Sequence, residues 1–243
     1  MLSKNQIKLI RSLELKKNRK REGLFVAEGP KVVGDLLRAG FKAHAVFSRN
    51  EEWGMGNVEV QQVTEEELRR ISFLQHPQEV LAIFHIPDTH HPTPDTHRLA
   101  LALDGVQDPG NVGTIIRIAD WFGIDTIYCS MDTADVYNPK VVQATMGSIA
   151  HVHIVYTDLV ELLSQADCPV YGTLLDGENI YHQQLSRRGI IVMGNEGNGI
   201  SEPVRKLITH RLLIPNFNTN SQTAESLNVA IATAITCSEF MRS

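Results

Sequence analysis

The chain is poor in cysteine, in aromatic residues and in long apolar runs, and each shortage removes a class of protein. Three cysteines in 243 residues, Cys129, Cys168 and Cys237, are too few and too scattered for a disulfide framework or a thiolate metal site. They read as small buried side chains in a reducing cytoplasm. No run of about 18 apolar residues occurs, so no membrane span is expected. The basic N-terminus, MLSKNQIKLIRSLELKKNRKREG, lacks the apolar stretch of a secretory signal. An excess of positive charge is missing too: the net charge is −5, which by itself gives no support for a nucleic-acid partner.

The distribution of charge says more than the total. Residues 1–21 hold eight Lys/Arg (Lys4, Lys8, Arg11, Lys16, Lys17, Arg19, Lys20 and Arg21) against one acid, Glu14. That segment therefore carries +7 and the remainder −12. Such asymmetry fits a basic arm meeting phosphates, and equally a solvated helix face.

Residues 87–97, PDTHHPTPDTH, carry three prolines and no apolar periodicity. They read as a linker between a first part, 1–86, and a second, 98–243. His90, His91 and His97 fall there without a Cys or Glu to complete a ligand set, so no metal site is expected. The first part reads as small α/β, with one helix over 3–20, a helix from Pro30 to Gly40, and strands at GLFVAEG, AHAVFS, VEVQQV and EVLAIFHI. A short helix, EEELRRISF, lies between the last two. The second part alternates six apolar strands with helices and ends in a helix over about 224–241. Continuous apolar strands alternating with helices predict a parallel sheet covered on both faces. Ligands of such sheets bind beyond the carboxyl ends of the strands.

Three motifs sit at those ends. DPGNVGTIIRIADWFG, 108–123, is a turn and a helix start. It places Arg117 one turn after Gly113 among core residues Ile115, Ile116 and Ala119. An arginine so flanked can hold a phosphate through its fork, or pair with a structural carboxylate such as Asp120. MGNEGNGIS, 193–201, follows the strand GIIVMG. Gly194, Gly197 and Gly199 allow close ligand approach, and the spacing is not that of a dinucleotide fingerprint. Glu196 makes it a poor phosphate loop. Taken alone, it reads as readily as a plain turn capped by Ser201. IPNFNTNSQTAESLNVAIATAI, 214–235, is a polar loop leading into a helix whose early turns carry Ser226 and Asn228. Trp53 and Trp121 read as packing residues rather than base-stacking platforms, with Trp121, near Arg117, a candidate for lining a dimer contact.

In this order the motifs resemble the SpoU (TrmH) family of RNA ribose methyltransferases, of the SPOUT superfamily. The likeness covers the whole second part. The first part, with its basic helix and LFVAEGPKVVGDLLRAG, looks like that family's substrate-binding domain. The resemblance implies an α/β fold with a trefoil knot in residues 98–243, a homodimer, and S-adenosyl-L-methionine as cofactor. It implies catalytic roles for Arg117, Asn111, Glu196, Ser226 and Asn228, and cofactor contacts for Gly194, Gly199, Ile214, Leu227 and Asn228. It implies a cytoplasmic enzyme that methylates a ribose 2′-hydroxyl of structured RNA, ribosomal RNA before transfer RNA, with no metal and no membrane. The rival is an RNA-binding assembly factor without catalysis; the full set of motif residues speaks against it. One departure stands out. NFNTNSQTAE is about four residues longer than the family's spacer, and it brings Asn218, Asn220 and Gln222 into play as substrate contacts.

Overall fold

The computed structural model describes residues 1–50, 58–87, 97–218 and 226–242. Trp53, most of the predicted linker with His90 and His91, and residues 219–225 with Asn220 and Gln222 lie outside the described residues.

The elements follow one another as α1 (Lys4–Ser12), α2 (Lys16–Glu22), β1 (Leu24–Glu28), α3 (Pro30–Arg38), β2 (Ala43–Ser48), β3 (Val60–Gln62), α4 (Glu65–Ile71) and β4 (Val80–His85). Then come β5 (Leu99–Asp104), α5 (Pro109–Trp121), β6 (Thr126–Cys129), α6 (Pro139–Thr145), β7 (His153–Tyr156), α7 (Leu159–Ser164) and β8 (Val170–Asn179). The chain closes with β9 (Gly189–Gly194), α8 (Glu202–Arg205), β10 (His210–Leu213) and α9 (Val229–Arg242).

Contacts divide the chain into two compact units: Met1–Asp88 with Asp135–His151, and Thr89–Ala134 with Val152–Ser243. The first unit has a four-stranded sheet in the order β1-β4-β2-β3. Strand alternation serves both of its faces, since successive side chains point to opposite sides. Leu24 and Val26 of β1 join Ile10, Leu13, Leu68 and Ile71 on one face. Phe25 and Ala27 join Val33, Leu36, Val142 and Ile149 on the other. The last two belong to the segment 135–151, which the linker position assigns to the second part. It packs in the first unit because it fills the core behind β1, where Tyr137 sets its ring 4.8 Å from that of Phe25.

The predicted helix over 3–20 is two helices, and Arg19 shows why. Its side chain is buried at 2% exposure. Its guanidinium donates to the carbonyls of Leu13 and Glu14, each at 2.7 Å, which the break leaves open. Asn18 likewise donates to the Ser12 carbonyl at 2.8 Å. Arg19 Nε completes the arrangement by donating to Asp135 at 3.0 Å. A buried arginine without such partners is costly, so Arg19 belongs to the core of this unit and not to a phosphate-binding arm. Lys4, Lys8, Lys17 and Lys20 stay exposed.

In the second unit six strands run in the order β10-β8-β9-β5-β6-β7, every pairing parallel. β5 and β9 lie inside the sheet, which accounts for their unbroken apolar runs LALAL and GIIVM. Ile115, Ile116 and Ala119 of α5 are fully buried, as their helical spacing predicts. Cys129, Cys168 and Cys237 are unpaired and buried, and burial pushes the Cys237 thiol up to about 12. No helix among the described residues is long and apolar enough to cross a membrane. Among the described residues no three His, Cys, Asp or Glu side chains gather as metal ligands would.

Candidate active site

Because all six strands are parallel, their carboxyl ends share one edge, and the ends of β5 and β9 assemble a site there with the start of the last helix. β5 ends at Asp104, whose side chain stays buried because Oδ2 accepts the Ser201 backbone N–H at 2.7 Å. Gly105 follows with φ +70°, where only glycine is comfortable. Its N–H donates to Ser130 Oγ at 2.8 Å, and its carbonyl accepts from Asn195 Nδ2 at 2.6 Å.

β9 ends at Gly194, and the loop after it is wound around Asn195. The Asn195 side-chain oxygen accepts the N–H groups of Gly197 (2.9 Å) and Asn198 (3.0 Å). Its backbone exchanges two 2.9 Å bonds with Gly199. The loop closes so tightly that a Cβ at Gly194 would lie 2.3 Å from the Gly199 carbonyl carbon and 2.4 Å from the Ile200 nitrogen. Ser201 stands at the N-cap of α8, but its side chain makes no capping bond.

Glu196 turns away from its own loop toward the start of α5. Oε1 accepts the Asp108 N–H at 3.1 Å and Asn111 Nδ2 at 3.0 Å, and Oε2 accepts the Gln107 N–H at 3.2 Å. Asn111 is held from behind as well: Asp108, the N-cap of α5, accepts its backbone N–H at 2.8 Å. Its Oδ1 accepts Asn228 Nδ2 at 2.9 Å. Asn228 in turn caps α9, accepting the N–H groups of Ala230 (2.9 Å) and Ile231 (3.3 Å). One chain of side chains, Glu196–Asn111–Asn228, therefore joins the ends of β5 and β9 to the start of the last helix. Since a carboxylate only accepts, the orientation of the Asn111 amide follows from its partners.

That geometry corrects one expectation. The final helix starts at Val229, so Ser226 and Asn228 precede it; the Asn228 cap sets the start. Glu196 orients Asn111 and the 107–108 backbone, and both of its oxygens are engaged there. Arg117 stands apart. It lies six residues beyond Asn111, a rise of about 9 Å and about one and two-thirds turns along α5. Its side chain is exposed, and among the described residues it makes no hydrogen bond or ion pair; the expected alternative, a pair with Asp120, is not formed. Ser226 and Leu227 are exposed beside Asn228, and Ile214, after β10, is partly buried. Asn195 and Asp104, which do much of the holding, were not among the expected site residues. The sequence signals available for them are slight: an asparagine ahead of two glycines, and the lone charge closing LALALD.

The Glu196 carboxyl is held below the usual range: burial opposes its ionisation, but the Asn111 amide and nearby backbone N–H groups outweigh that effect. A lowered carboxylate contributes stability above its unfolded pKa and loses it as pH falls through the folded value. Glu196→Gln is therefore expected to melt below wild type near neutral pH, with the gap closing below the ordinary carboxylate range of about 4. Melting curves across that range check this; a gap that is constant with pH contradicts it.

Comparison with known proteins gives this arrangement its relatives. Residues 98–238 match the SpoU rRNA Methylase family, and residues 4–82 match the MRM3-like substrate binding domain. The 23S rRNA (guanosine(2553)-2′-O)-methyltransferase RlmP of Bacillus subtilis is 31% identical, over 96% of this chain and 95% of its own length. A solved TrmH-family protein from Porphyromonas gingivalis is 44% identical and superposes with a TM-score of 0.89, covering 100% of this chain and 99% of that one. An AdoMet-bound rRNA methyltransferase from Sinorhizobium meliloti is 32% identical with a TM-score of 0.87, covering 100% and 96%. With both units matched, and the second along nearly all of its length, the chain belongs to the SpoU rRNA methylase family.

Proposed function

We propose that this protein transfers the methyl group of S-adenosylmethionine to a ribose 2′-hydroxyl of ribosomal RNA. The observation that carries the reading is the Glu196–Asn111–Asn228 chain, which brings the family's three motifs together at the sheet's carboxyl edge. The residues there fit the cofactor. Gly194 lets the loop close on its own backbone, exposed Gly199 leaves open space above it, and Ile214 and Leu227 add apolar side chains beside polar ones, a mixture suited to an adenosine with an amino-acid tail.

When bound, the cofactor supplies an electrophilic methyl on sulfonium. The protein's part is to align the ribose oxygen with it, to stabilise the charge that develops there, and to leave the hydroxyl proton a path to solvent water. Arg117 is the residue for that charge. An arginine does not give up its proton near neutral pH, so its guanidinium acts as a fork for the RNA phosphate and the nascent alkoxide. Asn111 and Asn228 are positioning residues, and Glu196 fixes both through the Asn111 amide.

Arg117 shares a stripe of α5 with exposed Thr114 and with Trp121, which is 85% exposed. A stripe of this kind supports a homodimer in which α5 meets its counterpart near the methyl-donor loops. The strand order supports the family's trefoil knot, because β9 and β10, late in the chain, flank β8 while α9 returns to pack on α5 and β9. The first unit, with its exposed lysines, takes the role of RNA holder, and a cytoplasmic location is compatible with a ribosomal substrate. The 23S rRNA specificity of the Bacillus subtilis relative favours ribosomal over transfer RNA.

The test is methyl transfer from labelled S-adenosylmethionine to RNA from cells lacking the gene, followed by nuclease digestion. Labelled, nuclease-resistant dinucleotides in ribosomal RNA are the expected result. Label in a base, or in transfer RNA alone, overturns the reading.

A further inference from the structure

Two aromatic rings lie exposed at the same sheet edge with no part in the site described above. Phe217, four residues after β10, is 79% exposed, and Tyr181, just after β8, is 38% exposed. Their rings are stacked, 6.4 Å between centroids and 20° between planes. The strands deliver them together: Leu213 at the end of β10 pairs with Asn179 at the end of β8. Each ring also rides on a turn pinned by an asparagine. Asn179 Oδ1 accepts the Tyr181 N–H at 3.0 Å, and Asn216 Oδ1 accepts the Asn218 N–H at 2.9 Å across Phe217. Ile180 beside Tyr181 is buried and anchors its turn. The pair is thus presented in place, which lowers the ordering cost of a partner.

We propose that Phe217 and Tyr181 form a stacking platform for an unpaired base of the RNA substrate. The inference rests on the reading of the protein as an RNA ribose methyltransferase and adds how the nucleotide is held. Aromatic faces bind unstacked bases without regard to sequence, at about 1–3 kcal/mol per base. A ribose can be aligned only if its nucleotide is fixed, and a base clamp beside the strand ends supplies that constraint. Two rings offer a few hundred Å² at most, far below the roughly 1,200 Å² that a stable protein interface needs, so a base is the occupant that fits.

The experiment compares the full-length wild type with Phe217→Ala, Phe217→Trp and the double variant Phe217→Ala/Tyr181→Ala. Substrate is ribosomal RNA from cells lacking the gene. Phe217→Ala is expected to raise KM for RNA about 5- to 100-fold, with the double variant higher and Phe217→Trp near wild type. The Kd for S-adenosylmethionine by calorimetry and the mass by light scattering are expected to stay unchanged. Filter binding of the same labelled RNA without cofactor gives a readout independent of catalysis: a failure of methyl transfer in wild type sinks the enzymatic reading, while this arm still judges the platform. Unchanged RNA affinity in Phe217→Ala overturns the proposal. So does a parallel loss of cofactor affinity, which makes the rings an adenine wall, or a halved mass, which makes them a subunit contact.

Discussion

Arg117→Lys is expected to lower kcat for methyl transfer by about 10²- to 10³-fold while leaving the Kd for S-adenosylmethionine within about twofold of wild type. The charge is kept in this variant, so the loss isolates geometry. A guanidinium presents parallel N–H groups in a plane and can span two oxygens, whereas an ammonium offers a single compact point of contact. Nothing in the fold should suffer. Arg117 is exposed and unpaired among the described residues, so its replacement leaves no buried group without a partner. An unchanged Tm beside a collapsed single-turnover rate is the expected signature. Residual turnover above about a tenth of wild type takes Arg117 out of the chemical step.

The second large effect falls on the cofactor. Gly194→Ala pushes a methyl group into the backbone of Gly199 and Ile200, at 2.3 and 2.4 Å, and no flexible side chain is there to yield. The loop must open, at a cost of about 1–3 kcal/mol as for other overpacked sites. Opening it also disturbs the paired bonds between Asn195 and Gly199. A rise of about 5- to 100-fold in the Kd for S-adenosylmethionine is expected by calorimetry, with a lower Tm. Gly197→Ala is the control, since its nearest outside atom, Asn195 Oδ1, lies at an ordinary 3.6 Å. Equal losses in the two variants would mean that the loop tolerates no side chain anywhere and that the Gly194 contact is not special.

Much of the site was legible because chemistry and position coincide in it. Glycine and carboxylate after an apolar strand, Asp-Pro before an apolar helix, and Asn ahead of VAIATAI each carry local meaning, and the parallel sheet follows from alternation. What local patterns do not carry is pairing at a distance. The strand order β10-β8-β9-β5-β6-β7 depends on contacts between segments up to about a hundred residues apart. The break at Leu13–Leu15 was hidden because the apolar spacing of Ile7, Ile10 and Leu13 suits a longer helix. It becomes intelligible only once Arg19 is seen to bond the freed carbonyls and Asp135. Arg19 also shows how a count of basic residues misleads: one of eight in the arm is a core residue. Glu196 shows a different limit. Its charge spoke against a phosphate at this loop, but only the structure gives its partners, the Asn111 amide and the 107–108 backbone.

The joining of residues 135–151 to the first unit bears on the order in which the molecule can be made. A ribosome working at about 5–20 residues per second has released the first 88 residues several seconds before Ile149 emerges. Until then Phe25 and Leu36 lack their cover, and Arg19 lacks the Asp135 carboxylate. The N-terminal unit therefore waits on the nascent chain and is completed only after β5, α5 and β6 have been synthesised. Its maturation is tied to that of the neighbouring unit, and transplanting residues 1–88 into another protein would carry along an unfinished core.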